Sequence, residues 1–340
     1  MPTLTKEVLH EVTTAIFRAT GAPDDLAAQV AEVLVDNHLA GHDSHGILRI
    51  PEYVRSVRAG EIVPTARPQV IEESATSALI SGNWAFGQVT GMFAADLAVE
   101  KAKRERVAVL SVVQAGHTGR LAAFTDRAAR QGVVMFMAIG TVNKPTTAPY
   151  GGSAPVLGTN PIAFSIPNPA GSPITLDFAT SSIAAGKIKA AKAKHEPLPP
   201  GAILDSRGLP STDPQAFFEG GFLLPFGGHK GYALAVIAEL LSGPLTGADA
   251  YPGVVSRSGI FVFAVDAAVF RPPAEYEKAL TETLSRIKAV PPAPGFEEVL
   301  LPGEPEARAR AKRERDGIPI PEDTWKAVCD VGAELGVNIK

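Results

Sequence analysis

The chain has 340 residues, of which 45 % are hydrophobic and 20 % charged, the composition of an ordinary globular enzyme with material for about two domains. Its net charge of -4 weighs against a nucleic-acid partner. The single cysteine, Cys329, excludes an intrachain disulfide, so nothing calls for an oxidising compartment. No apolar run reaches the length of a membrane span, and residues 1–19 lack an apolar segment with a cleavage site. We therefore expect a cytoplasmic protein with no membrane partner.

The N-terminal part of the chain has apolar residues at helical spacing. Leu9, Val12 and Ile16 recur on one face, and glycines follow the periodic stretches. The pattern predicts three helices, over residues 5–20, over residues 23–41, and in a stretch that continues through residue 53 to residue 58. These helices form a mostly helical N-terminal unit.

From residue 68 the pattern changes to strands alternating with helices. Strands are predicted over residues 69–73, 77–81, 107–113, 133–139, 161–167, 174–178 and 260–265, and helices over residues 87–106, 119–131, 182–194 and 230–241. The last of these helices is apolar enough to be buried, and residues 197–214 read as a loop. Three further helices follow, over residues 273–290, 304–315 and 322–335. This order predicts an α/β or α+β core with helical units on either side.

The stretch from Gly41 to Tyr53 concentrates chemically useful side chains. Within ten positions it holds the hydroxyl of Ser44, the imidazole of His45, the guanidinium of Arg49 and the phenol of Tyr53. A guanidinium matches a carboxylate with two parallel hydrogen bonds, and an imidazole exchanges a proton near neutral pH. Together they describe a pocket for a small carboxylic acid at which a proton moves. The alternative is that His45 caps a helix and the other side chains line a surface.

A second histidine, His117, directly follows a predicted buried strand. The carboxyl ends of strands are where α/β folds place ligand contacts. The alternative is a histidine on a surface loop.

Two stretches other than the usual nucleotide motifs are suited to phosphates. Neither Gly-x-Gly-x-x-Gly after a strand nor a Walker-type Gly-x-x-x-x-Gly-Lys-Ser/Thr occurs, so a Rossmann or P-loop site is not expected. Residues 224–232 form a glycine-rich turn with a lysine at the start of an apolar helix, where free N–H groups and the helix dipole favour a diphosphate. In residues 176–181, Asp177 can accept from ribose hydroxyls and Thr180 and Ser181 can contact phosphate. Either stretch can equally be a plain turn or a helix cap.

A metal site is a further hypothesis. His38 and His42 stand four residues apart, with Asp43 and His45 close behind, and on one helical face that spacing can bind zinc. Against it, Gly41 is expected to break the helix and no glutamate follows His38. A metal-dependent hydrolase or lyase built on His38, His42 and His45 stays open as an alternative.

Several ordered motifs together resemble the type-2 malate/L-lactate dehydrogenase family, which includes sulfolactate and ureidoglycolate dehydrogenases, diketogulonate reductase and Δ1-piperideine-2-carboxylate reductases. The resemblance covers about residues 5–306. The motifs are Ser44-His45-Gly46 with Arg49 and Tyr53, Gly116-His117-x-Gly119, Leu157-Gly158-Thr159-Asn160-Pro161, Asp177-x-Ala179-Thr180-Ser181, the stretch 224–231, and Pro302-Gly303-Glu304-Pro305-Glu306.

The resemblance implies an NAD(P)-dependent oxidoreductase with a non-Rossmann fold and a homodimer whose active site lies near the partner subunit. It implies that a helical part from both chain ends, residues 1–67 and 270–340, packs on a sheet-containing NAD(P)-binding domain, residues 68–269. The expected activity is hydride transfer between a nicotinamide, NAD or NADP, and a small 2-oxo or 2-hydroxy acid. A cyclic imino-acid reductase is the nearest alternative.

The resemblance also implies roles by position. His45 would protonate the carbonyl or imine atom, Arg49 with Tyr53 would hold the substrate carboxylate, and Ser44 would steady the ring of His45 or the substrate. His117 would lie by the reacting centre, where it is itself a candidate base. The residues expected to line the dinucleotide are Thr141, Thr159, Asn160, Asp177, Phe178, Ala179, Thr180, Ser181, His229, Lys230, Gly303, Glu304 and Pro305.

Overall fold

A computed structural model of the protein describes residues 2–140, 145–251 and 259–339. The helices are α1 (Lys6–Ala19), α2 (Asp24–Leu39), α3 (Ile50–Arg58), α4 (Gly87–Glu105), α5 (Ala122–Ala129), α6 (Ala185–Lys194), α7 (Pro214–Phe218), α8 (His229–Ser242), α9 (Pro273–Lys288), α10 (Glu304–Asp316) and α11 (Glu322–Glu334). The strands are β1 (Thr3–Leu4), β2 (Gln69–Glu73), β3 (Ser77–Ser81), β4 (Val107–Val113), β5 (Val133–Ile139), β6 (Ile162–Ile166), β7 (Ile174–Phe178), β8 (Ile203–Leu204), β9 (Pro210–Ser211), β10 (Phe222–Leu223), β11 (Ile260–Asp266) and β12 (Ile318–Pro319). Short 3₁₀ helices are Asp43–His45, Ile47–Arg49 and Ala248–Ala250.

The centre of the molecule is a seven-stranded sheet in the order β2-β3-β4-β11-β5-β6-β7. β3 and β4 run parallel, and the other neighbouring strands of this sheet, as far as it is described, run antiparallel. β11 comes late in the chain and yet lies between β4 and β5, which it pairs over its whole length. The mixed α/β fold predicted from the order of the elements is confirmed.

The two faces of this sheet are covered differently. Alternate residues of β11 point to opposite faces of the sheet. On one face, the buried side chain of Val262 packs in an apolar cluster with Leu110, Met135 and Phe124 beneath α4 and α5. The opposite face meets α8, where Ala238 packs against Ala138. The sheet is therefore the middle layer of a helix–sheet–helix arrangement.

A second apolar cluster contains residues from both ends of the chain. Leu9 and Phe17 of α1 and Tyr53 of α3 lie in it with Ile318 and Val328, and all five side chains are buried. A two-stranded antiparallel pairing of β1 with β12 brings the chain ends together. This cluster supports the segment between α2 and α3, which carries Ser44 and His45.

Three sequence expectations differ from the structure. The predicted loop over residues 197–214 contains β8 and β9, which form a small sheet with β10. Strands of two residues cannot display an alternating pattern, so no periodicity revealed them. The helix predicted from residue 182 begins at Ala185, because Ser182 instead donates from its backbone N–H to the carbonyl of Leu224 at 2.8 Å.

The third difference concerns α8, which the sequence predicts to be buried. One face of it is exposed, with Leu234 38 %, Ile237 53 % and Leu240 50 % accessible. These positions repeat every three residues and form an apolar stripe. Among the described helices, none combines the length and apolar character needed to cross a bilayer.

Candidate active site

The segment between α2 and α3 is a tight double turn. Gly41 takes a φ of +83°, which favours glycine, and ends the C-terminal turn of α2. The backbone N–H of His45 then donates to the carbonyl of His42 at 2.9 Å, and that of Gly46 donates to the carbonyl of Asp43 at 3.1 Å. We call residues 42–46 the His45 turn. The turn predicted from the two glycines is thus found, as a 3₁₀ helix.

The two histidines singled out by the sequence lie face to face. The rings of His45 and His117 are stacked with centroids 5.9 Å apart and planes 14° apart. Ser44 Oγ lies 3.1 Å from His45 Nδ1, and Tyr53 Oη lies 2.7 Å from His117 Nδ1. These contacts join four side chains into one group: Ser44, His45, Tyr53 and His117. The first and last of them are 73 residues apart in the chain.

Gln88 on α4 determines how Tyr53 bonds to His117. Its Nε2 donates to Tyr53 Oη at 2.9 Å, so the phenol hydrogen is free to donate to His117 Nδ1. Burial raises the pKa of Tyr53 above its usual value, which keeps the phenol protonated as that donor. His117 then carries its own hydrogen on Nε2. Sequence reasoning missed Gln88, since a glutamine inside a helix carries no local signal.

Arg49 lies beside this group and is already hydrogen-bonded. Its Nε donates to the carbonyl of Ser44 at 2.8 Å, and its Nη1 donates to Glu52 Oε2 at 2.6 Å. Within the described part of the chain, Nη2 makes no hydrogen bond. An incoming carboxylate can therefore take Nη2 directly but must share or displace Glu52 to reach Nη1.

Both imidazoles are held in the neutral form. Burial, and next the neighbouring His117 and Arg49, lower the pKa of His45 from 6.5 to about 3. Desolvation by the surrounding protein atoms, and next the charge of Arg49, lower the pKa of His117 as well. His117 is nevertheless exposed to the cleft on one side, and water there weakens the effect. At neutral pH the ligand-free group thus offers the neutral imidazole of His45 as a proton acceptor and the Nε2–H of His117 as a donor.

A cleft that is partly open to solvent adjoins the His45 turn at His42. It is lined by Ala40, His42, Arg120, Asp126, Arg130, Ser172, Pro173, Thr175, Asp177, Gly303, Glu306, Ala307 and Arg310. Asp177 accepts from the N–H of Ala122 at 2.7 Å, and burial, its largest influence, raises its pKa to about 6. His42 Nε2 lies 3.2 Å from Glu306 Oε1. Asp177 and Gly303 were predicted from the sequence, whereas Arg120 and Arg310 were not.

The structure also brings together three predicted cofactor stretches, residues 157–161, 176–181 and 224–232. Thr180 Oγ1 donates to the carbonyls of Thr159 and Asn160, both at 3.0 Å, and Phe178 packs edge-on against Phe226 at a centroid distance of 5.1 Å. Ser181 pairs with Pro225 in an isolated bridge, which places Ala179 in the same strip. The hydroxyl of Thr180 is used within the protein, and Asn160 Nδ2 donates to the carbonyl of Ala235 and to Glu239 Oε2, whereas Asn160 Oδ1 is buried without a hydrogen-bond partner among the described residues.

The remaining predicted cofactor residues lie at helix starts. His229 and Lys230 are exposed in the first turn of α8, and Pro305 lies in the first turn of α10. Glu304 accepts from Lys288 at 3.0 Å and from the backbone N–H of Leu301, so its carboxylate serves the local fold. Thr141 lies outside the described residues.

The three histidines of the metal hypothesis bond to different partners. His38 Nδ1 lies 3.0 Å from Asp43 Oδ1, while His42 pairs with Glu306 and His45 with Ser44. In residues 2–140, 145–251 and 259–339, no three histidine, cysteine or carboxylate side chains converge as metal ligands do. The spacing that suggested zinc fails because the helix ends before His42.

Comparison with known proteins gives consistent results. The profile of the family described as Malate/L-lactate dehydrogenase matches residues 4–329. Hydroxycarboxylate dehydrogenase B of Escherichia coli is 34 % identical over 338 residues, covering 97 % of this chain and 94 % of that protein. The structure of sulfolactate dehydrogenase from Methanocaldococcus jannaschii aligns with a TM-score of 0.90 at 36 % identity, covering 99 % of this chain and 98 % of the other. Δ1-Piperideine-2-carboxylate reductase from Pseudomonas syringae aligns with a TM-score of 0.85 at 30 % identity, covering 97 % and 100 %.

Proposed function

Because the chain belongs to the malate/L-lactate dehydrogenase family, and is thereby a dehydrogenase, we propose that it transfers a hydride between a nicotinamide dinucleotide and a small 2-oxo or 2-hydroxy acid. The observation that carries this proposal is the stacked pair of His45 and His117 beside Arg49. A carboxylate anchor and a proton acceptor in one cleft are what such a substrate requires.

The residues around the cleft suit a dinucleotide, NAD or NADP. The carboxylate of Asp177 can accept from ribose hydroxyls, and Arg120 and Arg310 add positive charge. The backbone approaches closely at Gly303, where a Cβ would lie 3.1 Å from the carbonyl oxygen of Pro173. We propose that these residues and the strip of residues 159–160 and 177–181 hold the cofactor outside any Rossmann unit. The bound nicotinamide would supply or accept the hydride.

The protein residues then handle the carboxylate and the proton. Arg49 holds the substrate carboxylate through Nη2, and His45 takes the hydroxyl proton of a 2-hydroxy acid in the oxidative direction. Ser44 fixes the ring of His45 through its Nδ1. His117, kept in one tautomer by Tyr53, offers its Nε2–H to the substrate oxygen. In the reductive direction His45 first takes up a proton from water and then gives it to the same oxygen.

The same residues would serve reduction of a cyclic imino acid. Arg49 would hold the carboxylate and His45 would protonate the imine nitrogen. The structural similarity to Δ1-piperideine-2-carboxylate reductase favours keeping this second candidate.

We also propose that the protein is a homodimer. α8 leaves Leu234, Ile237 and Leu240 exposed on one face, and Val109 of the adjacent sheet face is 37 % accessible. Large apolar side chains exposed on one helix face are typical of an association site. Ile237→Glu should shift the mass measured by light scattering from dimer to monomer, whereas Val8→Glu on α1 should not. A wild-type monomer at micromolar concentration would refute the proposal.

The division into a helical part, residues 1–67 and 270–340, and a sheet-containing part, residues 68–269, also stays a proposal. The apolar cluster that joins α1 and α3 to α11 supports it. A cytoplasmic location is proposed from the single cysteine and the composition.

The test is oxidation of NADH and of NADPH against a panel of 2-oxo acids and cyclic imino acids. We expect turnover with at least one acid, and His45→Ala should lower it by roughly 10²–10⁴-fold while cofactor affinity stays nearly constant. Absence of turnover with every acid and both cofactors would refute the proposal. Near-normal turnover of the variant would remove His45 from the proton transfer.

A further inference from the structure

One face of α10 forms ion pairs with the His45 turn and with the end of α2. Glu306, Arg310 and Arg313 follow one another at spacings of four and three residues, so they lie on one side of the helix. Each reaches a different partner: Glu306 pairs with His42 at 3.2 Å, Arg310 with Asp36 at 2.5 Å, and Arg313 with Asp43 at 2.5 Å.

Arg313 is the most enclosed member of this row, with 17 % of its side chain accessible. Its Nη1 donates to Asp43 and also to the carbonyl of His38 near the end of α2. Asp43 in turn lies 3.0 Å from His38 Nδ1, and with both partners in place the pKa of Asp43 is below its usual value although burial opposes this. Asp43 directly precedes Ser44 and His45 in the chain.

We propose that α10 clamps the His45 turn, and that Arg313 is a positioning residue which acts through Asp43 on His45. This rests on the hydride-transfer function proposed above. Besides its two internal hydrogen bonds, the turn is held by Asn37, whose Nδ2 donates to the carbonyl of His45, and by Arg49, whose Nε donates to the carbonyl of Ser44. Arg313 adds the support at Asp43. A charge-assisted bond from a rigid helix supplies that support. A misplacement of about 1 Å at a reacting group can cost about 10²-fold in rate.

The clamp makes a prediction that a general loss of stability does not. Arg313→Ala and Asp43→Asn should each lower kcat by about 10- to 100-fold, with KM and the Kd of NADH changed by less than about threefold. The double variant should be no slower than the worse single variant, because both substitutions remove the same contact. Arg313→Lys should recover part of the rate, since an ammonium can reach Asp43 but not also His38.

Arg315→Ala is the matched control. Arg315 lies on the same helix with 73 % of its side chain accessible and bonds to its neighbour Asp316. It should keep wild-type kcat. Wild-type kcat in Arg313→Ala, or effects of Arg313→Ala and Asp43→Asn that add in the double variant, would overturn the clamp.

A second readout separates failure of the clamp from failure of the proposed function. If the wild type reduces no acid on the panel, the proposed function is wrong. Amide hydrogen exchange then tests the clamp independently of activity. The amides of His45 and Gly46 should then exchange about tenfold faster in Arg313→Ala than in Arg315→Ala. Equal exchange at those two amides in both variants would overturn the clamp whatever the activity.

Discussion

The neutral state of His45 predicts how the stability of the protein depends on pH. The folded protein holds the pKa of His45 at about 3, whereas the unfolded chain has the ordinary value near 6.5. Between these values the unfolded state binds a proton that the folded state does not. His45 therefore does not reduce the free energy of unfolding above pH 6.5, and it lowers that free energy as the pH falls from 6.5 towards 3.

The size of this effect follows from the shift. If the unfolded state binds one proton more than the folded state, the free energy of unfolding falls by about 1.4 kcal/mol per pH unit. Between pH 6.5 and pH 5 this amounts to about 2 kcal/mol. The side chain of His45 is partly accessible, and water in the cleft screens the charge, so we expect roughly 1–1.5 kcal/mol. His45→Gln removes this titration and keeps a polar group beside Ser44.

The assay is urea unfolding followed by circular dichroism at pH 7, 6 and 5. The free energy of unfolding of His45→Gln minus that of the wild type should rise by roughly 1–1.5 kcal/mol from pH 7 to pH 5. Asp177, whose raised pKa acts in the opposite direction, is common to both proteins and cancels. His45→Ala should show the same slope with a different offset. A difference that stays constant with pH would refute the argument.

The same group predicts a kinetic difference between free and liganded enzyme. Arg49 is one of the charges that lower the pKa of His45. A bound carboxylate neutralises Arg49, so the pKa of His45 rises in the complex. The pKa of the base seen in the pH profile of kcat should therefore be higher than the one seen in kcat/KM. Identical values would contradict the pairing of carboxylate and Arg49.

The other predictions concern side chains around the same group. Arg49→Ala should raise KM for carboxylate substrates by about 10- to 100-fold, measured by steady-state kinetics, and an unchanged KM would exclude it as the anchor. Tyr53→Phe removes the donor to His117. It should lower kcat about tenfold and the free energy of unfolding by about 1–3 kcal/mol. Wild-type values of both kcat and the thermal unfolding temperature would contradict this. Gly46→Ala places a Cβ 2.2 Å from the ring of His38. It should lower the free energy of unfolding by about 1–3 kcal/mol in a denaturant titration. An unchanged free energy of unfolding would contradict this.

The order and type of the main elements could be predicted from the sequence because their apolar periodicity is strong. β4, β5 and the helix α4 were placed to within a residue, as runs such as residues 107–113 leave little ambiguity. The position of β11 between β4 and β5 could not be predicted, since local pattern carries no information on strand order.

Part of the candidate site, which stays a prediction, could also be read from the sequence, namely the side chains that are chemically distinctive. His45 and Arg49 were found because they lie close together in the chain. Their relation to His117 came from resemblance, and the supporting residues Gln88 and Arg313 were missed altogether. Those two act through contacts between residues 35 or more positions apart, and single-sequence patterns do not record such contacts.

The measurement that tests the central claim most directly is a crystal structure of the protein with a nicotinamide dinucleotide and a non-reacting 2-hydroxy-acid analogue. We predict that the analogue's carboxylate contacts Arg49 and that the imidazole of His45 lies within about 3.2 Å of the hydroxyl on the carbon facing the nicotinamide ring. An imidazole of His45 turned away from that hydroxyl, or a dinucleotide bound outside the cleft between Asp177 and Gly303, would contradict the account.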